Sequence, residues 1–124
     1  MLNLDTHIFL FALDGHVNTT ERRLLEENPW GISAIVLWEL AKLCQLKRID
    51  VDLKSADFTR RLSRIHIWPL DLAVCRTILG LDFSSDPADE IIAATSIVHH
   101  VPLVTRDRRI LSSKLVPFPK RTAN

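Results

Sequence analysis

Short apolar segments alternate with helix-start signals along this chain of 124 residues. Each predicted strand is a brief apolar run that ends near a polar residue suited to begin a helix. We predict strands at 2–5, 30–33, 65–70, 101–105 and 115–118. Strands that alternate with helices form parallel sheets with right-handed crossovers. The sequence therefore predicts an α/β/α sandwich around a central, mostly parallel sheet of about five strands.

The segments between these strands carry capping residues. Asn18, followed three residues later by Glu21, indicates a capping box, and Asp86 followed by Pro87 indicates another helix start. Pro69 lacks a backbone N–H, so it favours an edge position for the strand at 65–70. We predict helices over 6–13, 18–28, 34–47, 55–65, 71–79, 87–99 and 108–112.

The composition limits the classes of protein to which the chain can belong. A hydrophobic fraction of 47% with 25% charged residues is typical of a globular protein, and a net charge of +1 gives no general affinity for nucleic acid. Cys44 and Cys75 have no metal-ligand spacing, which favours buried, reduced thiols. No apolar run approaches the roughly 20 residues that span a bilayer. We expect one domain over 1–124, frayed at 120–124, in the cytoplasm because no cleavable leader is evident.

Four acidic residues lie against or inside apolar stretches, where an isolated carboxylate costs roughly several kcal/mol to desolvate. They are Asp5, Glu39, Asp89 and Asp107. Asp5 and Asp107 follow predicted parallel strands, and ligand crevices lie beyond the carboxyl ends of such strands. If the fold brings the four carboxylates together, their repulsion demands a counter-ion. Hard oxygen ligands then favour Mg²⁺ or Mn²⁺ over zinc.

Several of these acids also have structural explanations. The helix dipole is favourable for Asp89, and Asp107 is suited to cap the next turn; Asp86, a further possible site residue, is explained by helix capping alone. The role of Glu39 stays open among three alternatives. It completes the coordination of a first ion through water, holds a second ion, or orients the attacking water.

Four sequence blocks occur in order along the chain. They are 4–7 (Leu-Asp-Thr-His), 33–40 (Ser-Ala-Ile-Val-Leu-Trp-Glu-Leu), 86–96 (Asp-Pro-Ala-Asp, then Ile-Ile-Ala-Ala-Thr-Ser after one residue) and 103–107 (Leu-Val-Thr-Arg-Asp). Together they resemble PIN-domain proteins, and their order and spacing resemble the VapC toxins of type II VapBC toxin–antitoxin pairs. The resemblance implies a PIN-like sandwich and an endoribonuclease that depends on Mg²⁺, or Mn²⁺, and leaves 5′-phosphate and 3′-hydroxyl ends.

The resemblance also assigns roles to residues and partners. It implies that Asp5, Glu39, Asp89 and Asp107 are catalytic and metal-binding, with Thr6 and Thr105 as hydrogen-bonding neighbours. It implies RNA as the substrate, a VapB-like antitoxin as the inhibitor, and a homodimer or a larger assembly with antitoxin, away from membranes. We expect the antitoxin to lie along exposed apolar residues of the helices over 20–28 and 33–47, and an inserted arginine to reach the acidic residues.

One departure from the family concerns charge. Many relatives have a basic residue directly after the acid that matches Asp89, and often a histidine-arginine pair before the acid that matches Asp86, whereas this chain has Glu90 and Ser84-Ser85. We expect Arg106 or Arg108 to compensate by contacting phosphate, so that Arg106→Glu impairs RNA cleavage. The same departure supports an alternative function, a catalytically weak PIN-fold module that binds RNA or a protein.

Overall fold

The structure is a computed structural model that describes residues 1–120, so the expectation for 121–124 lies outside it. Within the described part, four strands form one sheet in the order β3-β2-β1-β4, and every neighbouring pair is parallel. The strands are β1 (Leu2–Leu4), β2 (Trp30–Ser33), β3 (His66–Trp68) and β4 (Leu103–Val104). The predicted α/β class with a parallel sheet is therefore confirmed.

Seven helices connect and follow these strands in residues 1–120. They are α1 (Thr6–Asp14), α2 (Thr19–Glu27), α3 (Ala34–Gln45), α4 (Ala56–Leu62), α5 (Leu72–Ile78), α6 (Pro87–His99) and α7 (Arg108–Leu111). The predicted capping box is present at α2, where the side chains of Asn18 and Glu21 each accept a hydrogen bond from the other's backbone N–H. Local capping signals thus placed the helix starts correctly.

The predicted fifth strand at 115–118 is wrong. This segment lies beside β4, where the N–H of Leu103 donates to the carbonyl of Pro117 at 2.9 Å. Pro117 and Pro119 have no N–H to donate, so a ladder of hydrogen bonds does not form. The sheet ends at β4 on this side and at β3 on the other, which confirms the edge position that Pro69 predicted.

Close packing of β2 against Trp68 requires a glycine. A Cβ atom at Gly31 would lie 2.4 Å from Cη2 of Trp68, closer than real Cβ atoms approach a neighbour. Trp68 itself is 5% exposed, and its ring stacks with that of His99 in the last turn of α6. Gly31 therefore allows the indole to lie directly on β2, the strand that leads into α3.

Two further predictions are resolved by the described residues. No helix among them is long and apolar enough to cross a membrane. Cys44 and Cys75 are free, as predicted, but Cys44 is half-buried and Cys75 is exposed, so the expectation of two buried thiols is wrong. Cys75 lies on α5, a short helix of which only Val74 is buried.

The strand order reverses at β1. From β1 the chain adds β2 and β3 on one side, and it then returns to place β4 on the other side. In parallel sheets, ligands bind outside the carboxyl ends of the strands at such a reversal. Asp5 directly follows β1, and Thr105 directly follows β4.

Candidate active site

Asp5 is a buried carboxylate at the reversal point of the sheet, with 7% of its surface exposed. It is the N-cap of α1, and its Oδ1 atom accepts a hydrogen bond from the N–H of Ile8 at 2.9 Å. Its Oδ2 atom accepts a hydrogen bond from the hydroxyl of Thr105. The predicted neighbour Thr105 therefore contacts the predicted acid directly.

Asp107 is the N-cap of α7 and lies three residues after β4. Its Oδ1 atom accepts from the N–H groups of Arg109 and Ile110, at 2.8 and 3.1 Å, so it caps the helix as the structural explanation predicted. Its own N–H donates to the hydroxyl oxygen of Thr105 at 3.1 Å. Capping uses Oδ1, and Oδ2 is the oxygen that remains for a ligand.

Glu39 and Thr6 form the second contact between a predicted acid and a predicted neighbour. The hydroxyl of Thr6, a buried residue in the first turn of α1, donates to Oε1 of Glu39. Ser33 caps α3 and places Glu39 in the second turn of that helix. Glu39 is half-buried, and this hydrogen bond connects α3 to the first turn of α1, directly after Asp5.

Asp89 lies in the first turn of α6, and Ser85 holds it from the preceding loop. The hydroxyl of Ser85 donates to Oδ2 of Asp89 at 2.8 Å, and its N–H donates to Oε2 of Glu90 at 3.0 Å. Asp86 has the predicted N-cap position, but its side chain makes no capping hydrogen bond. The prediction that the Asp86 side chain caps α6 is therefore wrong. The carboxylates of Asp89 and Glu90 instead accept hydrogen bonds from Ser85 in the loop before the helix.

The four carboxylates are close enough to affect one another. Burial is the largest cause that raises the pKa of Asp5, Glu39 and Asp89 above their ordinary values. The charge of Asp107 adds to the rise at Asp5 and Asp89, and the charge of Asp89 adds to the rise at Glu39. Hydrogen bonds from Thr105, Thr6 and Ser85 oppose these shifts. The site is thus a region of concentrated, partly desolvated negative charge.

The donor set fits a hard divalent cation in its chemistry, because carboxylate and hydroxyl oxygens are the ligands that Mg²⁺ and Mn²⁺ prefer. Its arrangement is not that of a formed metal centre. Among residues 1–120, no group of three or more His, Cys, Asp or Glu side chains is placed so that it could hold an ion. Like charges repel, and each carboxylate turns to a nearby donor, so the predicted convergence on a single point is not observed.

Arg106 has a partner that its sequence position did not suggest. Its Nε and Nη2 atoms donate to the carboxylate of Glu21 on α2, at 2.8 and 2.7 Å, and its guanidinium lies 4.4 Å from the ring centroid of Phe11. The predicted contact with phosphate remains a prediction. Arg106→Glu would set a carboxylate against buried Glu21, so loss of activity in that variant would not isolate such a contact.

Two functional candidates were missed from sequence. Ser85 was noted only as a departure from the family, and Glu21 only as a member of a capping box. A serine three or four residues before a helical acid is a weak signal, because serine also occurs in ordinary loops. Glu21 and Arg106 are separated by 85 residues, and no local pattern connects them.

Comparisons with known proteins agree with this fold. Residues 3–114 match the PIN domain family. Ribonuclease VapC22 of Mycobacterium tuberculosis (strain ATCC 25618 / H37Rv) is 34% identical over 88 residues, which cover 68% of this chain and 67% of that protein. The chain therefore belongs to the PIN-domain family, as its sequence blocks predicted. Its similarity to VapC22 confirms the resemblance to VapC-type members.

Solved structures show the same fold at lower identity. VapBC2 from Rickettsia felis, bound to a DNA fragment from its promoter, has a TM-score of 0.69 and 21% identity, covering 96% of this chain and 98% of the other. A toxin–antitoxin complex from Klebsiella pneumoniae has a TM-score of 0.68 and 20% identity, covering 90% and 91%. FitAcB from Neisseria gonorrhoeae has a TM-score of 0.65 and 23% identity, covering 96% and 97%.

Proposed function

We propose that this protein is the toxin of a type II toxin–antitoxin pair and an endoribonuclease that depends on Mg²⁺ or Mn²⁺. Membership of the PIN-domain family and the name of its VapC22 relative support a nuclease. The observation that carries the proposal is electrostatic. The charges of Asp5, Asp89 and Asp107 contribute to raising the pKa values of neighbouring acids in this group, and Asp5 and Asp107 follow β1 and β4, beyond whose carboxyl ends a parallel sheet binds ligands.

Three acids are proposed to hold the first ion, namely Asp5, Asp89 and Asp107. A bound divalent cation supplies an activated water and neutralises charge on the phosphodiester. The chain's own contacts orient these ligands, since Thr105 donates to Asp5 and Ser85 donates to Asp89. Outer contacts of this kind orient the carboxylates that bind a metal ion.

Glu39 is proposed to handle the proton of the attacking water. Burial raises the pKa of its carboxyl group. A carboxylate with a raised pKa is a stronger base, so it accepts a proton from water more readily. Thr6 occupies Oε1, so Oε2 is the oxygen available to a water. Holding a second ion, or binding the first through water, are the other roles that its position allows.

The proposed partners follow from the same family. The similar solved structures include a toxin–antitoxin complex from Klebsiella pneumoniae and VapBC2 from Rickettsia felis, which supports a VapB-like antitoxin as inhibitor. Trp38 on α3 is 55% exposed and suits an apolar contact, whereas on α2 Leu25 is buried and Leu24 half-buried, so α2 does not offer the exposed apolar residues that were predicted. RNA as substrate, a homodimer, a single domain over 1–124 and a cytoplasmic location complete the proposal.

The test uses the purified chain without antitoxin. It should cleave RNA with Mg²⁺ or Mn²⁺, stop in EDTA, and leave 5′-phosphate and 3′-hydroxyl ends. Asp5→Asn should abolish cleavage, and Asp50→Asn, at an exposed loop position, should not. Cleavage that persists in EDTA would rule out the metal-dependent mechanism.

A second candidate is a catalytically weak module that binds RNA or a protein. The lack of a formed metal-binding group among residues 1–120 is the observation that favours it. Asp5→Asn separates the two candidates in cells that express this chain alone. If growth inhibition disappears together with cleavage, the enzyme is supported; if inhibition persists, binding is the activity.

A further inference from the structure

The ion pair between Glu21 and Arg106 connects α2 to the segment that carries Asp107. Both Arg106 hydrogen bonds are short, and they engage both carboxylate oxygens of Glu21. A paired, two-point contact of this kind is stronger and more directional than a single charged hydrogen bond. It fixes the orientation of the guanidinium relative to the Glu21 carboxylate, and not only the distance between the two groups.

Glu21 is itself held firmly. Only 7% of its surface is exposed, and its Oε1 atom also accepts the N–H of Asn18 in the capping box. Arg106 is supported on its other side by the ring of Phe11 on α1, a favourable position for a cation. The guanidinium is thus bound to α1 and α2.

Residues of the proposed active site lie next to Arg106 along the same short segment. Arg106 stands between Thr105, which binds Asp5, and Asp107. The charge of Asp5 contributes to raising the pKa of Arg106, so the guanidinium is within electrostatic reach of the acids. An arginine released beside several desolvated carboxylates would be drawn to them.

The segment does not need the ion pair to keep its path. Thr105 is held by Asp5, the N–H of Asp5 donates to the carbonyl of Val104 at 3.2 Å, and Asp107 caps α7. These contacts fix both sides of Arg106 independently of Glu21. The ion pair therefore fixes mainly the side chain of Arg106 and not the backbone.

We propose that Glu21 is a positioning residue that holds Arg106 away from Asp5 and Asp107 and so keeps the acidic site available to a divalent cation. This inference rests on the proposed function, because it assumes that these acids bind the ion. Without Glu21, the guanidinium competes with the cation for the same carboxylates.

The experiment measures Mn²⁺ binding to the whole chain by calorimetric titration. Glu21→Gln removes the charge and keeps an acceptor for Asn18, and we expect it to weaken Mn²⁺ binding by about tenfold, the size of an ordinary coupling between neighbouring charged groups. Arg106→Gln should bind Mn²⁺ at least as tightly as the parent. The double variant Glu21→Gln/Arg106→Gln should recover the parent affinity, because the competing cation is gone.

Asn18→Ala is the matched control. It removes the side-chain cap that accepts the N–H of Glu21 but leaves the ion pair, so it should lower stability without changing Mn²⁺ affinity. An unchanged affinity in Glu21→Gln would overturn the inference. So would a double variant as weak as Glu21→Gln, which would indicate simple damage to the fold. If Glu21→Gln binds Mn²⁺ normally and Arg106→Gln raises the KM for RNA, the inference is overturned and Arg106 is a phosphate contact.

A second measurement distinguishes this inference from the proposed function. If the parent and Asp5→Asn bind Mn²⁺ equally, or neither binds it, the proposed metal site is wrong. The position of Arg106 is then read in metal-free protein from the ¹⁵N resonance of its Nε atom. In a Glu21→Gln background, adding Asp107→Asn should move this resonance, and in the parent it should not. No response in the Glu21→Gln background would show that the guanidinium stays away from the acids without Glu21.

Discussion

The hydroxyl of Thr105 donates a hydrogen bond to Oδ2 of Asp5, joining two residues that are 100 positions apart in sequence. The same hydroxyl oxygen accepts the N–H of Asp107 at 3.1 Å. One threonine therefore connects the acid that follows β1 to the acid that begins α7. It sets how these two proposed ligands face each other.

Thr105→Val should remove this connection with little change of shape. We expect RNA cleavage or Mn²⁺ affinity to fall by about 10- to 100-fold, as happens when a contact that orients a metal ligand is lost. The Thr105 hydrogen bond lowers the pKa of Asp5, so its loss should raise that pKa further. The acidic limb of the pH–rate profile should then move to higher pH.

Thr59→Val is the control for this prediction. Thr59 is exposed on α4, and its hydroxyl donates only to the carbonyl of Ser55. It should leave both the rate and the pH profile unchanged. A Thr105→Val enzyme with the parent profile would mean that Thr105 does not tune Asp5.

Asp89→Asn should stabilise the metal-free protein near neutral pH. Burial, followed by the charges of Asp107, Asp86 and Asp5, raises the pKa of Asp89. Between the ordinary and the raised pKa the unfolded chain binds fewer protons than the folded one, so stability falls as pH rises through that window. The asparagine avoids this loss and still accepts the Ser85 hydroxyl. We expect a gain of about 1 kcal/mol or less, because Asp89 is only half-buried.

Thermal unfolding in EDTA at several pH values measures this effect. The difference in stability between Asp89→Asn and the parent should shrink as pH falls below the ordinary range of an aspartate. A variant that is less stable than the parent at every pH would contradict the electrostatic account. In that case the Ser85 contact, which the change to an amide weakens, would dominate.

Adding Mn²⁺ should reverse the order of stability. A ligand that binds only the folded state stabilises it by about 2.7 kcal/mol at a free concentration of 100 times its Kd. The parent should gain this amount, and Asp89→Asn should gain less because it lacks one proposed ligand. Unfolding midpoints with and without Mn²⁺ give the comparison directly. Equal gains in both proteins would remove Asp89 from the metal site.

Local signals account for the parts of the fold that were predicted correctly. The spacing of Asn18 and Glu21, the proline at Pro87 and the edge preference of Pro69 each act within a few residues, so they are visible in sequence. The strand at 115–118 was predicted from apolar character, and the missing N–H groups of Pro117 and Pro119 outweighed it. Hydrophobic pattern alone did not include that backbone cost.

The candidate site was only partly visible for a different reason. The acids were identified by the cost of placing carboxylates in apolar stretches and by the resemblance to a family. Their detailed orientation depends on Thr6, Thr105 and Ser85, which bind acids far away or across a loop. The pairing of Glu21 with Arg106 is likewise a contact between distant segments. Such contacts form only when the whole chain has folded, so no window of sequence contains them.

Gly31→Ala should destabilise the protein through a steric clash. The new Cβ would lie 2.4 Å from the indole of Trp68, which is buried and cannot move freely. Overpacking of this kind costs about 1–3 kcal/mol. Gly80→Ala is a matched control, since its nearest neighbour would be the carbonyl of Thr77 at 3.9 Å. Denaturant unfolding should also show that Trp68→Leu relieves part of the Gly31→Ala defect.

Glu90 provides a test of what its negative charge does beside the site. As an unfavourable charge it would weaken phosphate binding, and Glu90→Gln would then improve RNA cleavage. In the structure its Oε2 atom accepts the N–H of Ser85, whose hydroxyl holds Asp89. Glu90→Gln keeps an acceptor, so we expect Mn²⁺ affinity and cleavage within about twofold of the parent, whereas Glu90→Ala should lose about tenfold as Ser85 is released.

Glu90→Lys extends the same argument. It introduces the basic character that many relatives have at this position, but it also removes the acceptor for Ser85. If anchoring of the loop dominates, Glu90→Lys should resemble Glu90→Ala in Mn²⁺ affinity, and a Ser85→Ala change should add little to either. If Glu90→Lys instead cleaves RNA faster than the parent, the charge at position 90 has the larger effect on activity and the hydrogen bond to Ser85 has the smaller one.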